Sequence, residues 1–167
     1  DPIESERNYK KSLSLDATNS SAHNNYGLLL CSNGRFDEAE VQFLNAANNP
    51  LYDSPEIALT NAGSCLFLNK PEIGESYFKK ALKNNPRFSH ALIKMANITY
   101  NKNEYKLAYQ YFKRYQENAK HTAKSLWLGI RIFKELDLRD DMSSYALLLR
   151  NRYPDTPEAK KLNELQF

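Results

Sequence analysis

Valine and glycine are scarce in this 167-residue chain, which has one valine (Val41) and five glycines. Strands favour β-branched residues and tight hairpins favour glycine, so this scarcity argues against a β-sheet protein. Eleven tyrosines and eight phenylalanines supply the bulky packing groups instead. Hydrophobic residues make up 41% and charged residues 26%, which excludes wholesale disorder. The composition therefore predicts an all-helical protein.

Long apolar runs are also lacking. None approaches the roughly 18 residues that a membrane-spanning helix requires. The first residues, Asp1-Pro2-Ile3-Glu4, match neither a signal peptide nor a lipobox. If the native protein is exported, we expect its targeting segment to lie outside this sequence.

Cysteine occurs twice, as Cys31 and Cys65, and neither belongs to a CxxC metal or redox motif. Both lie in helical patterns of neighbouring repeats. Buried thiols that act as small apolar groups are the favoured interpretation over a disulfide. On that interpretation, the cysteine content does not identify a cellular compartment.

Charge of one sign is not concentrated anywhere in the chain. The 23 basic and 20 acidic side chains give a net charge of +3 and are interspersed, with no run of five or six like charges. A nucleic-acid partner would be expected to need clustered Lys and Arg, so this distribution argues against one. A mildly basic surface is expected for solubility alone.

What the sequence does contain is a repeat of about 34 residues. A small residue, an aromatic residue four positions later and a third position three residues beyond recur at spacings of 34 or 35. The three sets are Ala39, Gly74 and Ala108; Phe43, Phe78 and Phe112; and Ser12, Ala46, Ala81 and Tyr115. Positions i, i+4 and i+7 share one helical face, where a small residue admits a neighbouring helix. Each segment is therefore predicted to be the second helix of a hairpin.

A second amphipathic stretch precedes each of these helices. Gly27, Gly63 and Ala96 take equivalent places in it, and we expect them where the paired helices cross most closely. The predicted turns between paired helices are short and polar, and Pro71 suits the first turn of its helix. These turns are 32–35, 69–71 and 101–104.

The pattern resembles the tetratricopeptide repeat. It predicts an all-α, right-handed superhelical solenoid of antiparallel helix pairs with a C-terminal capping helix, in which Thr156 is the N-cap and Pro157 the first residue. Because the first segment is the back half of a repeat, we expect more repeats to precede it in the full protein. Residues 1–167 are predicted to be one domain with a half repeat at 3–17, repeats at 20–53, 55–87 and 89–120, a divergent repeat at 122–154 and a capping helix at 156–167.

The histidines do not indicate a catalytic or metal site. His23, His90 and His121 are 67 and 31 residues apart, so no pair has the spacing of ligands on one helix face. His23 is predicted to be buried by hairpin packing, and the other two are predicted to lie on the surface.

No other catalytic motif is present. The sequence has no nucleophile elbow and no glycine-rich phosphate loop. The acidic pairs Asp37-Glu38 and Asp140-Asp141 fall at predicted helix starts, where carboxylates offset the helix dipole. We therefore expect no enzyme activity, no cofactor and no metal.

The first helix of each pair is expected to line a concave inner wall. By register, its exposed positions are Asn24, Leu28 and Cys31, then Thr60, Asn61 and Ser64, then Lys94, Asn97, Tyr100 and Asn101. Amide side chains with scattered apolar groups suit an extended peptide. The candidate partner-binding groove is Asn24, Leu28, Asn61, Lys94, Asn97 and Tyr100. For any single residue, a solvated wall without a partner is an equally good interpretation.

Some tetratricopeptide cochaperones hold a terminal carboxylate with a clamp of Lys and Asn. Asn61 and Lys94 would fit such a clamp. Asn24 stands where that family has Lys, however, and Leu28 stands where it has Asn. We therefore reject a chaperone-tail adaptor.

A more specific resemblance is to the type IV pilus pilotins, the PilF/PilW family. It extends from about Tyr9 to Pro154. The motifs that carry it are Asn24-Asn25-Tyr26-Gly27, Pro50-Leu51-Tyr52-Asp53-Ser54-Pro55, Asn61-Ala62-Gly63, Ala108-Tyr109-Gln110-Tyr111 and Ser125-Leu126-Trp127-Leu128-Gly129-Ile130-Arg131.

The resemblance implies an outer-membrane lipoprotein that faces the periplasm of a Gram-negative bacterium. Its implied partner is the pilus secretin, which it would help to reach the outer membrane and form multimers. Membrane contact would be made only through an N-terminal lipid anchor absent from this chain. The alternative is another bacterial tetratricopeptide adaptor, or an outer-membrane assembly lipoprotein, with a different protein partner.

Overall fold

The computed structural model of the protein describes residues 2–164. Over that range the chain forms ten α-helices and no strand, which confirms the all-α class. It divides into two compact units, residues 1–91 and 92–167, and the division falls within helix α6 (Ser89–Asn101). The predicted extension of the capping segment to residue 167 lies outside the described residues.

In the first unit, helices pack in antiparallel pairs across short turns. Its helices are α1 (Pro2–Leu15), α2 (Ser20–Ser32), α3 (Phe36–Ala47), α4 (Pro55–Leu66) and α5 (Pro71–Asn84), followed by the start of α6. Helix α2 packs on α3, α4 packs on α5 and on α3, and α1 packs on α2. Helix α1 lies at the predicted half repeat, 3–17, and ends at Leu15 because the Asp16 carboxylate accepts the Thr18 amide at 2.9 Å and forms a turn.

The second unit contains most of α6 and four further helices. These are α7 (Tyr105–Gln116), α8 (Ala123–Glu135), α9 (Arg139–Arg152) and α10 (Pro157–Glu164). Helix α8 packs on α7 and α9, and α10 packs on α8 and α9. Ala159 and Leu162 of α10 are buried against Leu126 and Leu149. As predicted, the Thr156 hydroxyl accepts an amide hydrogen bond in the first turn of α10, at 3.4 Å.

Contact between a small residue and a buried aromatic ring sets the distance between paired helices. Phe43 and Phe78 are 0% and 1% exposed. A Cβ atom added at Gly27 would lie 2.7 Å from the Phe43 ring, and one added at Gly63 would lie 2.8 Å from the Phe78 ring. Both glycines therefore lie where the paired helices cross, as the repeat predicts.

Helices α4 and α5 approach each other closely through their backbones. A Cβ atom at Gly74 would lie 2.7 Å from the Cα of Phe67 and 2.9 Å from the carbonyl oxygen of Gly63. These are backbone atoms, so a rotation of a side chain cannot relieve the clash. Gly74 is thus required by the helix crossing itself.

Three of the turns between paired helices share the same backbone conformation and hydrogen bond. Gly34, Asn103 and Asp137 have φ of 76°, 61° and 54°, a left-handed conformation that these residue types tolerate. The next amide in each turn donates to the carbonyl five residues earlier at 2.9 Å, from Arg35 to Leu30, from Glu104 to Thr99 and from Leu138 to Phe133. These bonds end each first helix and reverse the chain.

A cluster of ion pairs and hydrogen bonds around Glu6 connects α1 to the hairpin formed by α2 and α3. The Glu6 carboxylate accepts hydrogen bonds from Lys10 at 2.8 Å, from Arg35 at 2.7 Å and from Tyr26 at 2.9 Å. These bonds lower the pKa of Glu6 to about 2, with Lys10 the largest cause, followed by Arg35 and Tyr26. Arg35 also binds both carboxylate oxygens of Glu38, at 2.7 and 2.6 Å.

We predict that Gly74→Ala lowers the free energy of unfolding by about 1–3 kcal/mol, although alanine normally favours a helix. The added methyl group must separate α4 from α5. Lys83→Ala, at an exposed position of the same helix, is the matched control. Urea denaturation of both variants measures the difference, and an unchanged or higher stability of Gly74→Ala would contradict the close helix crossing.

We also predict that Glu6 contributes to stability in an acid-sensitive way. Because its folded-state pKa is below the ordinary 4.5, its contribution is complete above about pH 4.5 and is lost as the pH falls towards 2. Glu6→Gln should therefore show a smaller fall in Tm than wild type between about pH 5 and about pH 3. Glu4→Gln, at an exposed position of the same helix, should keep the wild-type fall. Equal falls in all three proteins would show that the cluster does not bind Glu6 in solution.

Candidate partner-binding surface

In the first unit, α2 and α4 provide three of the predicted groove residues. Leu28 is 44% exposed and Asn61 is half-buried, but Asn24 is only 8% exposed. The prediction that Asn24 is exposed is therefore wrong. Helix α4 packs beside α2, and the side-chain amide of Asn61 donates to the Asn24 side-chain oxygen at 2.9 Å. The buried Asn24 side chain therefore fixes the position of the half-buried Asn61 side chain.

Thr60 is a second correction. It was predicted to be exposed, yet it is 6% exposed, and its hydroxyl oxygen has no hydrogen-bond partner among residues 2–164. Ser64, one turn further along α4, is exposed as predicted. The inner wall formed by α2 and α4 therefore exposes fewer polar side chains than the repeat pattern predicts.

The two cysteines form a disulfide, which corrects the prediction of two buried free thiols. Cys31 at the end of α2 is bonded to Cys65 at the end of α4, with their Cα atoms 5.9 Å apart. Their 34-residue separation matches the repeat, so neighbouring first helices bring the two side chains together. The bond links two successive hairpins covalently.

In the second unit, the remaining predicted residues lie on α6. Lys94 and Asn97 are exposed, and Tyr100 is half-buried. The Arg131 guanidinium of α8 lies over the Tyr100 ring, 4.2 Å from its centroid. Sequence reasoning did not select Arg131, although the repeat register places α8 next in the series of first helices after α6.

Two of the three histidines, His23 and His121, have structural roles. His23 was predicted to be buried and is half-buried, with Nδ1 2.7 Å from Gln42 Oε1 and Nε2 3.1 Å from the Ala17 carbonyl oxygen. His90 is exposed as predicted. His121 was predicted to lie on the surface, and this is wrong, because it is half-buried in an aromatic cluster beside Tyr145.

Hydrogen bonds fix His121 within that cluster. Its Nε2 is 2.9 Å from the Tyr145 hydroxyl, and its carbonyl oxygen accepts from the Tyr153 hydroxyl at 2.7 Å. Burial, with a smaller contribution from Arg152, lowers the pKa of His121. The His121 ring joins the start of α8 to α9.

The acidic pairs lie in the first turns of α3 and α9, as predicted. Asp37 binds the Lys70 ammonium group at 2.7 Å, and Glu38 binds Arg35. Among residues 2–164, no three His, Cys, Asp or Glu side chains are grouped so that they could hold a metal ion. In the same range, no helix has both the length and the apolar character to cross a membrane.

Comparison with known proteins relates this arrangement to a family. A tetratricopeptide repeat profile matches residues 8–41. The type IV pilus assembly protein PilF of Pseudomonas aeruginosa is 33% identical over 159 residues, or 95% of this chain and 63% of PilF. The chain therefore spans slightly less than two thirds of the length of that curated relative.

Solved structures agree with the sequence match. PilW, described as a widely conserved type IV pilus biogenesis factor, is 29% identical, with a TM-score of 0.75 over 92% of this chain and 71% of PilW. The Pseudomonas aeruginosa PilF structure is 32% identical, with a TM-score of 0.85 over 93% of this chain and 71% of that structure. This chain belongs to the PilF/PilW family.

Membership in the PilF/PilW family confirms the resemblance and relates the chain to type IV pilus biogenesis. It also confirms the tetratricopeptide fold class. More distant structures, such as MamA at 17% identity and a TM-score of 0.69, share the fold alone.

In this PilF/PilW-family chain, the disulfide should contribute substantially to stability. Replacing both cysteines, Cys31→Ser and Cys65→Ser, is expected to lower the free energy of unfolding by about 2–4 kcal/mol, because the unfolded chain regains the freedom of the closed loop. Urea denaturation followed by far-UV circular dichroism measures the loss.

Dithiothreitol provides the internal control. It should lower the stability of the wild-type protein to nearly that of the double variant, and it should leave the variant unchanged. A wild-type protein whose stability does not respond to the reductant would contradict the disulfide.

Proposed function

We propose that this chain is a non-catalytic protein-binding scaffold with a pilotin-like role. In this role it supports the outer-membrane targeting and multimer assembly of the type IV pilus secretin. The observation that carries the proposal is the 33% identity to PilF over 95% of the chain, together with the match to the PilF fold.

Partner binding is proposed for the inner helices of each unit. In the first unit, Leu28 offers an exposed apolar contact and Asn61 offers an amide that Asn24 holds in place. In the second unit, Lys94, Asn97 and Tyr100 offer a charge, an amide and a ring along one helix. Amides can donate to and accept from the backbone of an extended segment, which is why such residues suit a peptide partner.

A periplasmic location on the outer membrane is part of the same proposal. The Cys31–Cys65 disulfide supports it, since disulfides form and persist in the oxidising periplasm and are rare in the cytosol. The proposed attachment is an N-terminal lipid on the natural protein, outside this chain. The anchor would raise the effective concentration of the scaffold at the membrane where the secretin assembles.

Two observations support a non-catalytic role. The acidic pairs near Asp37 and Asp140 lie at helix starts, and Asp37 is paired with Lys70. His121, whose pKa is lowered by burial, is half-buried beside the rings of Phe112, Tyr115 and Tyr145. These titratable groups have structural partners that explain their placement.

Deletion of the gene tests the proposal. We expect loss of secretin multimers from the outer-membrane fraction, measured by a gel that preserves the multimers, and recovery when the full-length protein is restored. A full-length protein with Asn61→Ala and Tyr100→Ala should restore fewer multimers, because both inner-wall contacts are truncated. The matched control, Asn45→Ala and Tyr111→Ala on α3 and α7, should restore them fully.

Normal secretin multimers in the deletion strain would contradict the pilotin-like role. The chain would then be a tetratricopeptide adaptor or an assembly lipoprotein for a different partner.

A further inference from the structure

Arg131 is a half-buried cation without an acidic partner. Its guanidinium lies 4.2 Å from the centroid of the Tyr100 ring, and it forms no ion pair within residues 2–164. Arginine stacks on aromatic faces while its N–H groups at the edge remain available for hydrogen bonding. The stack therefore holds a donor fork in a fixed position, which lowers the entropy lost when an anion binds.

Further side chains extend this stack along both helices. On α6, Lys94, Asn97 and Tyr100 follow one another at three-residue spacing, so each lies beside the next on the helix surface. On α8, Lys124 and Trp127 precede Arg131 by seven and four residues and share its face. We call these six residues the α6/α8 strip. The Tyr100–Arg131 contact joins its two halves.

The charged side chains of the strip are all positive. The strip contains three cations and no acid, and the nearest acid on α8 is Glu135, one turn beyond Arg131. The same bias holds for the whole second unit, where residues 92–167 carry 14 basic and 9 acidic side chains, a net charge of +5. Residues 1–91 carry 9 basic and 11 acidic side chains, a net charge of −2. The overall charge of +3 is therefore the sum of a slightly acidic first unit and a clearly basic second unit.

We propose that the α6/α8 strip binds an acidic, extended peptide segment of the partner protein. Arg131 receives a carboxylate on its free edge, and Lys94 and Lys124 attract neighbouring acids. Asn97 exchanges hydrogen bonds with the peptide backbone, and Trp127 supplies an apolar surface. This inference rests on the proposed function, because it names the chemistry of the partner segment that the inner helices of the second unit would bind.

The composition of the strip favours a peptide over a nucleic acid. A nucleic-acid footprint needs many cations that follow a phosphate backbone, whereas the strip has three cations interrupted by an amide and aromatic rings. A bidentate contact between a planar guanidinium and a carboxylate suits a site with one fixed arginine. An acidic peptide with an apolar residue among its acids therefore matches both the charge and the rings.

The test uses the full chain and a defined probe. The probe is a fluorescein-labelled peptide of alternating Glu and Leu with blocked termini, and the reference peptide has Gln at every Glu position. We expect the acidic peptide to bind more tightly by fluorescence anisotropy, with an affinity that falls as salt rises. Arg131→Gln should weaken this binding about tenfold or more, because a charge-assisted hydrogen-bonded pair is lost.

Lys160→Gln is the matched control, since it removes one positive charge from α10 in the same unit. Circular dichroism shows whether each variant is folded, and amide shifts in NMR spectra of the wild-type complex should concentrate on α6 and α8 without requiring any variant. The inference is overturned if the Gln peptide binds equally well, or if Arg131→Gln and Lys160→Gln have the same effect. It is also overturned if a thymidine oligonucleotide of equal length binds more tightly and displaces the acidic peptide.

The two proposals fail separately. If deletion abolishes secretin multimers and Arg131→Gln in the full-length protein restores them completely, the acidic-peptide inference fails and the pilotin-like role stands. If multimers form normally in the deletion strain while peptide binding still depends on Arg131, the pilotin-like role fails and the strip stands as the site for another acidic partner.

Discussion

The contact between a small residue and an aromatic ring is the interaction on which the other features depend. Gly27 faces Phe43, Gly63 faces Phe78, and Gly129 faces Phe112, in each case so closely that an added Cβ would lie 2.7 or 2.8 Å from the ring. This contact fixes how closely helices approach, and the interior must be close-packed at that distance. The side chains on the opposite helix faces are placed as a consequence. The hairpins packed at this distance carry the Cys31–Cys65 disulfide, the Asn24–Asn61 pair and the Tyr100–Arg131 stack.

Much of the fold could be predicted because the repeat is local. Positions i, i+4 and i+7 identify a buried face from sequence alone, and the left-handed turn at Gly34 or Asn103 follows from residue type. The first helices, the capping role of Thr156 and the close crossings at Gly27 and Gly63 were predicted on that basis. The family was recognised from motifs such as the one that ends at Arg131.

Two of the corrections have a different physical origin. Asn24 is buried beside α4, the first helix of the next hairpin, and the Cys31–Cys65 bond joins the same two helices. Periodicity defines which face of a helix points inward, but it does not give the lateral offset between successive first helices. That offset decides whether a side chain at the edge of the face is solvated or covered. It also explains why Arg131 was missed, since its contact with Tyr100 depends on the same offset.

The disulfide has a mechanical consequence if the protein links a membrane anchor to a bound partner, as proposed above. Tension on a chain of stacked hairpins extracts helices one after another, because each hairpin is held mainly by its neighbours. The Cys31–Cys65 bond carries the load past the 34-residue span between the two cysteines, so that span cannot lengthen. At full extension it would otherwise release about 110–120 Å of chain. The cross-link therefore limits how far the first unit can stretch, and it keeps α2 attached to α4 even after the noncovalent packing around them has failed.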